Sequence, residues 1–474
     1  MILQKIIAWV KGVIGRMLHI ENAKTALKLD VAISPEMQEA IDIWTQAFLN
    51  RGPWLDDTTK SAELPSAIAG EFARLVTVEM ESDITGSERA AYLAEQYGRF
   101  RKHLRETVEV ACAVGGAAFK PYVDNGRIIV DVVPAWSFLP TAFNSQKEVI
   151  GAVFVEQTTI GRTIYTRMEH HTWEDNGYTI RNLAYKSDSP EALGSQCNLA
   201  EVSAWAGLEE ELIIKYTDGK PLERPLFAYF RLPAANTVDP GSPLGVSVYS
   251  RAIGLIEEAD KQYSRILWEY EGSELAIDAT MGALQTDATG KPTILPKREK
   301  RLFREVNLEL GSGGDLYSVY SPAIRDSSLF NGLNQLLKRI EFNCNLAYGT
   351  LSDPQNVDKT AEEIKTSKQR SYSAVCDIQE ALQSALEDLV WAMDIYASLY
   401  KLAPRGKYEV TFGWGDSVLQ DTDKEYAIRK GLVDAGYMRP EALLAWYFGT
   451  TEEEALKMMP SAGPEIIEEE KKEK

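Results

Sequence analysis

The sequence predicts an α+β protein in which helices stand on either side of a run of consecutive strands. Apolar residues recur every three or four positions from about residue 34 to 112 and again after residue 247, the spacing of amphipathic helices. From about residue 115 to 231 the pattern changes to short runs separated by turns. Because strand follows strand without an intervening helix, the pattern favours a meander packed beside helices over alternating β-α-β units.

The first helical region contains three predicted helices. Ser34 and Pro35 supply a capping side chain and a proline suited to the first turn, so one helix starts there. A second helix is predicted at Pro65–Val78. A third is predicted at Glu88–Cys112, where glutamate and arginine recur at helical spacings.

The strand region opens with a predicted hairpin, because the Asn125-Gly126 dipeptide between two strand patterns is a hairpin-turn signal. His170 and His171 lie within a later strand, and adjacent strand residues point to opposite faces. We therefore expect one buried and one exposed histidine rather than a metal-binding pair. The predicted strands are Ala117–Val123, Arg127–Val133, Ile150–Thr158, Thr163–Trp173, Tyr178–Tyr185, Glu210–Tyr216 and Leu226–Arg231.

A Pro/Gly-rich loop at Asn236–Gly245 precedes a long helix predicted from Ser247 to Gly272. The next segment, Gly272–Ser321, has short strand patterns, many turns and a basic cluster that contains only one acid, Glu299. In a chain of net charge −19 this contrast indicates either a surface for a polyanion or acidic partner, or a solvated face. The basic residues are Lys291, Lys297, Arg298, Lys300, Arg301 and Arg304.

Two further helical patterns flank a polar loop, Gly349–Lys359. Gly349 is expected to end the first helix in a left-handed conformation, and Thr360 with Glu363 forms a predicted capping box for the second. The second helix, about Thr360–Tyr400, would be roughly 60 Å long, which favours support from neighbouring copies in an oligomer. By local signal alone the loop also fits an ordinary surface connection between two bundle helices.

The C-terminal part combines one strand with a small helical lobe. Lys407–Trp414 has a strand pattern and is expected to return to the sheet. Three short helices follow between Asp421 and Met459, with a break at Gly436 and new starts at Pro440 and Thr451. The charged end of the chain is expected to fray.

Composition bounds the function. The chain has 474 residues, 51 Lys plus Arg against 70 Asp plus Glu, and 45% hydrophobic residues. This acidic balance argues against a free-standing, sequence-reading DNA binder but not against a conduit, because each neutralised phosphate tightens DNA binding. The four cysteines lack C-x-x-C spacing and indicate reduced thiols. The sequence contains no apolar run of about 18 residues, so no transmembrane helix is predicted.

The first twenty residues form an amphipathic helical pattern with basic residues, led by Ile2, Ile6 and Val10 on the apolar side. A membrane-surface helix and a helix docked on its own or a neighbouring subunit both fit this pattern. We favour docking on protein, and we expect no membrane partner.

Sequence motifs for catalysis are absent. The chain contains no GxxxxGK[ST], HExxH or GxSxG motif, and only four histidines. We therefore expect no enzyme activity, cofactor or metal site, although a metal-dependent nuclease would carry no short motif. A second class that stays open is a non-channel α+β scaffold or adaptor that binds an acidic partner through the basic cluster.

The region around the polar loop reads as P-x-x-R-D … G-x-N … L-L-x-x-I-E … L-x-x-G-T-x-S … K-T-A-x-E-I. This pattern resembles that of tailed-bacteriophage portal proteins of the siphophage type, with a departure at Glu362, where threonine is expected. Ser242–Glu274 and the V-D-A-G-x-M … Y-F-G … E-E-A pattern resemble the same family, so the resemblance is good over about Ser242–Met459 and weak before it. The matching residues are Pro322, Arg325, Asp326, Gly332, Asn334, Leu336, Leu337, Ile340, Glu341, Leu346, Gly349, Thr350, Ser352, Lys359, Thr360, Ala361, Glu363 and Ile364.

The resemblance implies a ring, usually of twelve copies, at one capsid vertex. Double-stranded DNA would pass non-specifically through its channel, inward during packaging and outward at ejection. The resemblance also implies that the polar loop is a tunnel loop that touches this DNA. Its implied DNA-channel residues are Gly349, Thr350, Ser352, Asp353, Gln355, Asn356 and Lys359.

The resemblance further implies partners and a location. The terminase large subunit and the head-completion or adaptor proteins would dock on the basic cluster, while major capsid and scaffold proteins would surround the ring. Assembly would take place in the host cytoplasm, and the product would be part of the virion.

The resemblance finally implies a division of the α+β chain into portal-like parts: an α/β wing, two long stem helices, a small β-rich clip and a helical crown. The implied boundaries are 1–245 for the wing, 246–272 and 324–348 for the stem helices, 273–323 for the clip, 349–359 for the tunnel loop, 360–416 for the long wing helix and return strand, and 417–474 for the crown and charged tail.

Overall fold

The computed structural model divides the chain into two compact units, residues 1–413 and 414–474. The predictions for the first twenty residues and for the Thr360 cap lie outside the residues that the structure describes. The structure describes residues 23–24, 26–29, 31–175, 177–189, 192–215, 221–273, 276–279, 303–305, 317–320, 323–353, 361–415, 422–448 and 450–459.

Between residues 31 and 115, the structure has four helices rather than the three that the sequence predicts. The Ser34 hydroxyl accepts a hydrogen bond from the Met37 amide (3.3 Å), as expected for the cap of the first helix. The predicted helix Glu88–Cys112 is wrong, because the chain turns at Lys102 and His103. The break lets the half Glu88–Arg101 pack on the strand Met80–Gly86, and the half Leu104–Val114 pack on the helix Leu64–Thr77. Helical spacing in the sequence does not reveal this change of axis. The helices are α1 (Pro35–Phe48), α2 (Leu64–Thr77), α3 (Glu88–Arg101) and α4 (Leu104–Val114).

Three strands form a sheet in the order β10-β2-β3: β2 (Gly116–Asp124), β3 (Arg127–Pro134) and β10 (Ala228–Arg231). The predicted hairpin between β2 and β3 is confirmed. Asn125 and Gly126 both have positive φ angles, 47° and 74°, as a two-residue hairpin turn of this kind requires.

A larger antiparallel sheet follows in the order β4-β5-β6-β7-β8. β9 also pairs with β7, at Tyr178–Arg181, whereas β8 pairs with it at Ala184–Lys186. Strand follows strand, so the predicted α+β meander is confirmed. Its strands are β4 (Phe138–Phe143), β5 (Val149–Ile160), β6 (Thr163–Glu174), β7 (Gly177–Ser187), β8 (Ser195–Cys197) and β9 (Glu211–Ile214).

The last strand of the unit does not return to the meander. β14 (Tyr408–Trp414) pairs instead with β1 (Met80–Gly86) in a sheet of two strands. The prediction fails here because alternating apolar and polar residues identify a strand but not its partner. In addition, β1 lies at the end of a region with a helical sequence pattern. At Gly86 (φ 136°) a Cβ would lie 2.7 Å from the Lys407 carbonyl oxygen, so this close approach requires glycine.

Two packed helices and a small sheet form the next part of the unit. α5 (Ile253–Gly272) follows a short 3₁₀ turn and so begins six residues later than predicted. α6 (Asp326–Asn343) packs beside α5. Between the two helices the chain contributes a three-stranded sheet of β11 (Ala276–Ala279), β12 (Phe303–Glu305) and β13 (Tyr317–Tyr320). The central β11 is parallel to β12 and antiparallel to β13.

The long helix α7 (Ala361–Leu399) is confirmed as a single element of 39 residues. Its buried residues pack against β2, β10, α2 and α3 of the same unit. The expectation that neighbouring copies support this helix is therefore corrected for its C-terminal part, where the subunit's own core covers one face. These buried residues include Val375, Ile378, Leu382, Leu386, Leu389, Val390, Met393 and Ala397.

A charged cluster lies inside the first unit around Glu169. Its Oε2 lies 2.5 Å from Lys120 Nζ and 2.9 Å from an Arg167 nitrogen, and its Oε1 lies 2.9 Å from His171 Nε2. Burial by itself would raise the pKa of Glu169, but Lys120, His171 and Arg167 hold that pKa well below its ordinary value. The carboxylate is therefore charged and fully partnered.

His170 and His171 are both buried, with 3% and 0% exposure, so the expectation of one exposed histidine is wrong. The Tyr178 hydroxyl accepts from the Leu226 amide and lies 3.0 Å from His171 Nδ1. The tyrosine proton therefore points to Nδ1, and the His171 proton sits on Nε2 and is donated to Glu169. Burial lowers the pKa of His171, which agrees with this neutral tautomer.

In the described residues of the second unit, a lobe of three helices is present: α8 (Thr422–Asp434), α9 (Pro440–Phe448) and α10 (Glu452–Met458). The predicted break at Gly436 is confirmed by its positive φ of 75°. Thr451 caps α10: its hydroxyl accepts from the Glu454 amide while the Glu454 carboxylate accepts from the Thr451 amide.

The buried His170 makes a prediction about acid stability. Burial, followed by the nearby His171 and Arg181, lowers the pKa of His170 to about 4. Between pH 6.5 and 4 the unfolded chain therefore binds a proton that the folded chain does not, so stability falls as pH falls through this window. A shift of this size corresponds to roughly 3 kcal/mol. We expect His170→Gln to remove that share of the acid-dependent loss in urea unfolding at a series of pH values.

The exposed His103 provides the matched control, since His103→Gln removes an imidazole that is not buried. His171 is present in both variants and contributes equally to each curve. Parallel pH–stability curves for His170→Gln and the unmodified chain would contradict the assignment.

Candidate nucleic-acid interface: a loop anchored between two long helices

The loop after α6 begins earlier than the sequence predicts. α6 ends at Asn343, and the left-handed residue at its end is Asn345 (φ 59°); Gly349 is left-handed as predicted (φ 87°) but lies within the loop. The Leu346 amide then donates to the Glu341 carbonyl (2.8 Å) and the Asn345 amide to that of Phe342 (3.2 Å), the bonding pattern of a Schellman cap. Asparagine tolerates this conformation better than most residues other than glycine. The glycine at 349 therefore does not mark the end of the helix, which lies six residues earlier.

The Glu341 side chain holds the loop. It has no solvent exposure, and its Oε1 accepts hydrogen bonds from three loop amides: Gly349 (3.1 Å), Leu351 (2.6 Å) and Ser352 (2.8 Å). Its Oε2 accepts from the Ser352 hydroxyl (2.8 Å). A buried carboxylate is stable only when its lone pairs are satisfied, and here the loop backbone satisfies them.

Two further side chains fix the same loop from both adjoining helices. Asn334 of α6 accepts from the Asp353 amide through its Oδ1 (2.8 Å). Arg370 of α7 donates to the Leu346 carbonyl (3.3 Å), and its guanidinium lies 4.5 Å from the centre of the Phe342 ring. The base of the loop is therefore tied to α6 at two positions and to α7 at a third.

The predicted channel residues fall into two groups. Gly349 is half-buried, whereas Thr350 is exposed and Asp353 is exposed. Ser352 is only 3% exposed and is bonded to Glu341, so its position is that of an anchor residue. The remaining predicted residues of this loop, Gln355, Asn356 and Lys359, lie outside the described part of the chain.

Glu341 and Asn334 belong to the family pattern in the sequence, but the pattern does not reveal their role as anchors. A signal was present, because the two residues are seven positions apart and therefore lie on one face of α6. Ile340 and Cys344 place that face in the interior. A carboxylate and an amide at buried positions beside a turn-rich loop indicate side chains that bind loop backbone.

The helices that carry the loop are fastened to the rest of the unit through a second buried acid. Asp260 of α5 accepts from the Trp54 indole N–H (2.8 Å) and from the Ala62 amide (2.8 Å). Burial raises the pKa of Asp260, and these two bonds oppose that effect. Just before α5, a Cβ on Gly245 would lie 2.2 Å from the Gly115 carbonyl oxygen. The two glycines therefore allow these two segments of the backbone to cross closely.

At its other end α5 is joined to α6 by an ion pair. Glu269 accepts from Arg325 Nε (3.1 Å), a terminal guanidinium nitrogen (2.8 Å) and the Arg325 amide (3.3 Å). The hydrogen bonds from Arg325 lower the pKa of Glu269. This bidentate pair fixes the relative orientation of the two helices next to the β11–β13 sheet.

The basic cluster lies mostly outside the described residues. Arg304 lies on β12, of which the structure gives the backbone alone. The others, Lys291, Lys297, Arg298, Lys300 and Arg301, are not among the described residues. Their predicted role in docking stays a prediction.

Across the described ranges, no group of three or more His, Cys, Asp or Glu side chains is placed to hold a metal ion. In that same part of the chain, no helix combines the length and apolar character needed to span a membrane.

The anchored loop yields a mutational prediction. Glu341→Ala leaves three loop amides, one buried and two partly buried, without their acceptor, so we expect a loss of about 3 kcal/mol in the free energy of unfolding. We also expect faster hydrogen exchange at the Gly349, Leu351 and Ser352 amides, measured by mass spectrometry on the whole chain. Ser352→Ala serves as the control, because it removes one hydroxyl bond and keeps the three amide bonds. Unchanged exchange at these amides in Glu341→Ala would contradict the role of the carboxylate.

Comparison with known proteins identifies the family of the chain. No curated protein matches the chain significantly. The family model described as phage portal protein, SPP1 Gp6-like, matches residues 39–473, which is nearly the whole sequence. The family is one of structural proteins rather than enzymes. The chain therefore belongs to the family of phage portal proteins.

Proposed function

We propose that the protein forms the ring-shaped channel at one capsid vertex through which terminase packages double-stranded DNA and through which the DNA later leaves. Head-tail connector proteins would dock on the same ring. Membership of the portal family supports this role. The observation that carries it is the loop after α6, which is held by the fully buried Glu341 between two long helices.

The chemistry of this loop suits a surface over which DNA moves. Its exposed residues Thr350 and Asp353 are polar or acidic, and the sequence continues with Gln355, Asn356 and a single lysine, Lys359. Few positive charges keep phosphate binding weak, because each neutralised phosphate adds affinity through the release of counterions. A rigid base under a weakly binding surface would guide duplex without stopping it.

Ring assembly is supported by apolar side chains that the subunit leaves exposed on α5 and α6. Trp268 is 67% exposed, and Phe330 and Phe342 are 48% and 54% exposed. A closed ring is built from head-to-tail contacts that would bury such side chains against the next copy. We propose a ring of about twelve copies, as the family resemblance implies.

The remaining parts take their roles from the same proposal. Residues 1–245 with 360–416 form the wing, 246–272 and 324–348 the stem, 273–323 the clip, 349–359 the tunnel loop, and 417–474 the crown with its tail. The basic cluster on the clip would receive the terminase large subunit during packaging and head-completion proteins afterwards. Major capsid and scaffold proteins would contact the ring, which is assembled in the host cytoplasm and retained at the vertex of the virion.

Stoichiometry tests the proposal directly. We expect the purified chain to give rings with a central hole in negative-stain electron microscopy and a native mass near twelve subunits. The imaging is repeated in the presence of scaffold and capsid proteins, since closure can depend on them. A chain that stays monomeric under both conditions would overturn the channel and favour a non-channel adaptor that uses its basic cluster.

The tunnel loop makes a separate prediction. Deleting residues 354–358, or changing Lys359→Ala, is expected to leave ring assembly intact and to lower packaged DNA severalfold, because the guiding surface is lost. The measurement is DNA protected from nuclease in a packaging reaction with terminase. Lys215→Ala, a change at an exposed lysine in the first unit, is the control. Normal packaging by rings that lack the loop would remove it from the mechanism.

A further inference from the structure

The lobe formed by α8, α9 and α10 buries little of its own apolar surface. Among its described residues, the buried apolar side chains are Leu443 and Ala455. The three helices have 13, 9 and 7 residues, and isolated helices shorter than about 12–15 residues are marginal in water. Their stability must therefore come from packing, and a core this small provides little of it. We expect a further surface to cover the lobe.

The helix α9 has the strongest need for such a cover. Its sequence, PEALLAWYF, contains one charged residue, and apolar residues lie on every side of the helix. A helix that is apolar all round is normally buried all round. On α9, however, Leu443 alone is buried, and Tyr447 and Phe448 are 58% and 56% exposed. The lobe therefore covers α9 on the side of Leu443 and leaves its C-terminal end uncovered.

The helix α8 has one side against α9 and a different, uncovered side. The Tyr426 ring centre lies 5.2 Å from that of Tyr447, and the Arg429 guanidinium lies 4.5 Å from the centre of the α9 tryptophan ring. Ile428 and Leu432 lie one turn apart on another side of α8. They are 52% and 38% exposed, so apolar side chains of this helix also lack a cover.

The uncovered apolar side chains form two surfaces on different helices. Tyr437 follows α8, donates its amide to the Leu432 carbonyl (2.9 Å) and is 85% exposed. On α10, Leu456 and Met458 are 59% and 55% exposed. The α8 surface consists of Ile428, Leu432 and Tyr437, and the α9–α10 surface consists of Tyr447, Phe448, Leu456 and Met458.

Two different surfaces on one small lobe point to a second copy of the chain as the partner. A head-to-tail contact joins one surface of each copy to a different surface of the next copy, and its repetition closes a ring. A single partner protein would need one of the two surfaces and would leave the other uncovered. In a ring, each copy has a neighbour on both sides, and these neighbours would cover both surfaces.

The size of the two surfaces indicates what this contact can do. At roughly 200 Å² for each large side chain, about half of it exposed, the two surfaces present on the order of 700 Å² together. A stable interface buries about 1,200–2,000 Å² in total. Contact between lobes is therefore too small to hold two copies together alone, and it depends on the contacts proposed for α5 and α6.

We propose that the α8 surface of one copy packs against the α9–α10 surface of the next copy, so that the lobe is completed by its neighbours in the ring. The inference rests on the proposed function, because it requires copies that stand side by side. The lobe of the free subunit opens readily, since few apolar contacts hold it closed. Assembly buries the two surfaces and makes the same three helices stable.

Hydrogen exchange of the full chain tests this coupling. Monomers and rings are separated by size-exclusion chromatography, identified by native mass, and compared by exchange mass spectrometry over residues 426–448 and 450–458. We expect exchange of these amides to be at least about tenfold slower in the ring than in the monomer. The ring itself is established by its mass, independently of the exchange result.

Two variants remove the surfaces one at a time. Ile428→Asp with Leu432→Asp alters the α8 surface, and Leu456→Asp with Met458→Asp alters the α9–α10 surface. These side chains are exposed in the free subunit, so exchange of the lobe in the monomer should not change. In the ring, each pair of changes should return exchange of the lobe to the monomer rate, while the ring persists through its other contacts.

A matched control uses exposed lysines on the same two helices. Lys430→Asp with Lys457→Asp introduces two aspartates, changes the net charge by more than either test pair, and keeps all apolar side chains of both surfaces. Rings of this control variant should protect the lobe as rings of the unmodified chain do. Loss of protection in the control would mean that charge, rather than apolar packing, governs the contact, and would contradict the proposal.

Three further results would overturn the proposal. Exchange that is already slow in the monomer would show that the lobe is complete within its own chain. Rings whose lobes exchange as fast as the monomer would leave the ring intact and exclude contact between lobes. Protection that appears only after capsid or scaffold protein is added would assign the cover to those proteins. Absence of rings under every condition would overturn the proposed function together with this inference, and native mass distinguishes that case from the others.

Discussion

The loop between α6 and α7 depends on one buried charge, the Glu341 carboxylate. Water cannot reach this group, so its lone pairs must be satisfied by the protein, and three loop amides and the Ser352 hydroxyl do so. If the loop moved away, an unpaired charge would be left in the interior, a change that costs several kcal/mol. The conformation of residues 349–352 therefore follows from the need to solvate Glu341.

The same device recurs throughout the first unit. Asp260 binds a tryptophan about two hundred residues away and so fastens the α5–α6 pair, while Glu269 joins α5 to α6 through Arg325. Glu169 gathers Lys120, Arg167 and His171 in the interior of the sheets. In each case a buried acid has partners from distant parts of the chain. Of its 70 acidic residues, the protein thus uses at least Glu341, Asp260, Glu269 and Glu169 as internal ties.

For a member of the portal family this division has a functional consequence. Ties such as Glu341 and Asp260 fix where the loop stands, and the predominantly acidic surface keeps attraction to phosphates low. In the sequence, positive charge is instead concentrated between Lys291 and Arg304. Under the proposed function this cluster would meet acidic partners, and the loop after α6 would meet DNA.

The sequence by itself determined the α+β class, the β2–β3 hairpin, the long helix α7 and the three-helix lobe, because periodicity, turn residues and caps act over a few neighbouring positions. It also carried the family pattern around the loop. Only the tertiary structure decided that helix Glu88–Cys112 breaks, that β14 pairs with β1, and that both His170 and His171 are buried. It alone revealed Glu341 as the anchor, since a side chain's partners depend on segments far away in the chain, which local spacing cannot encode.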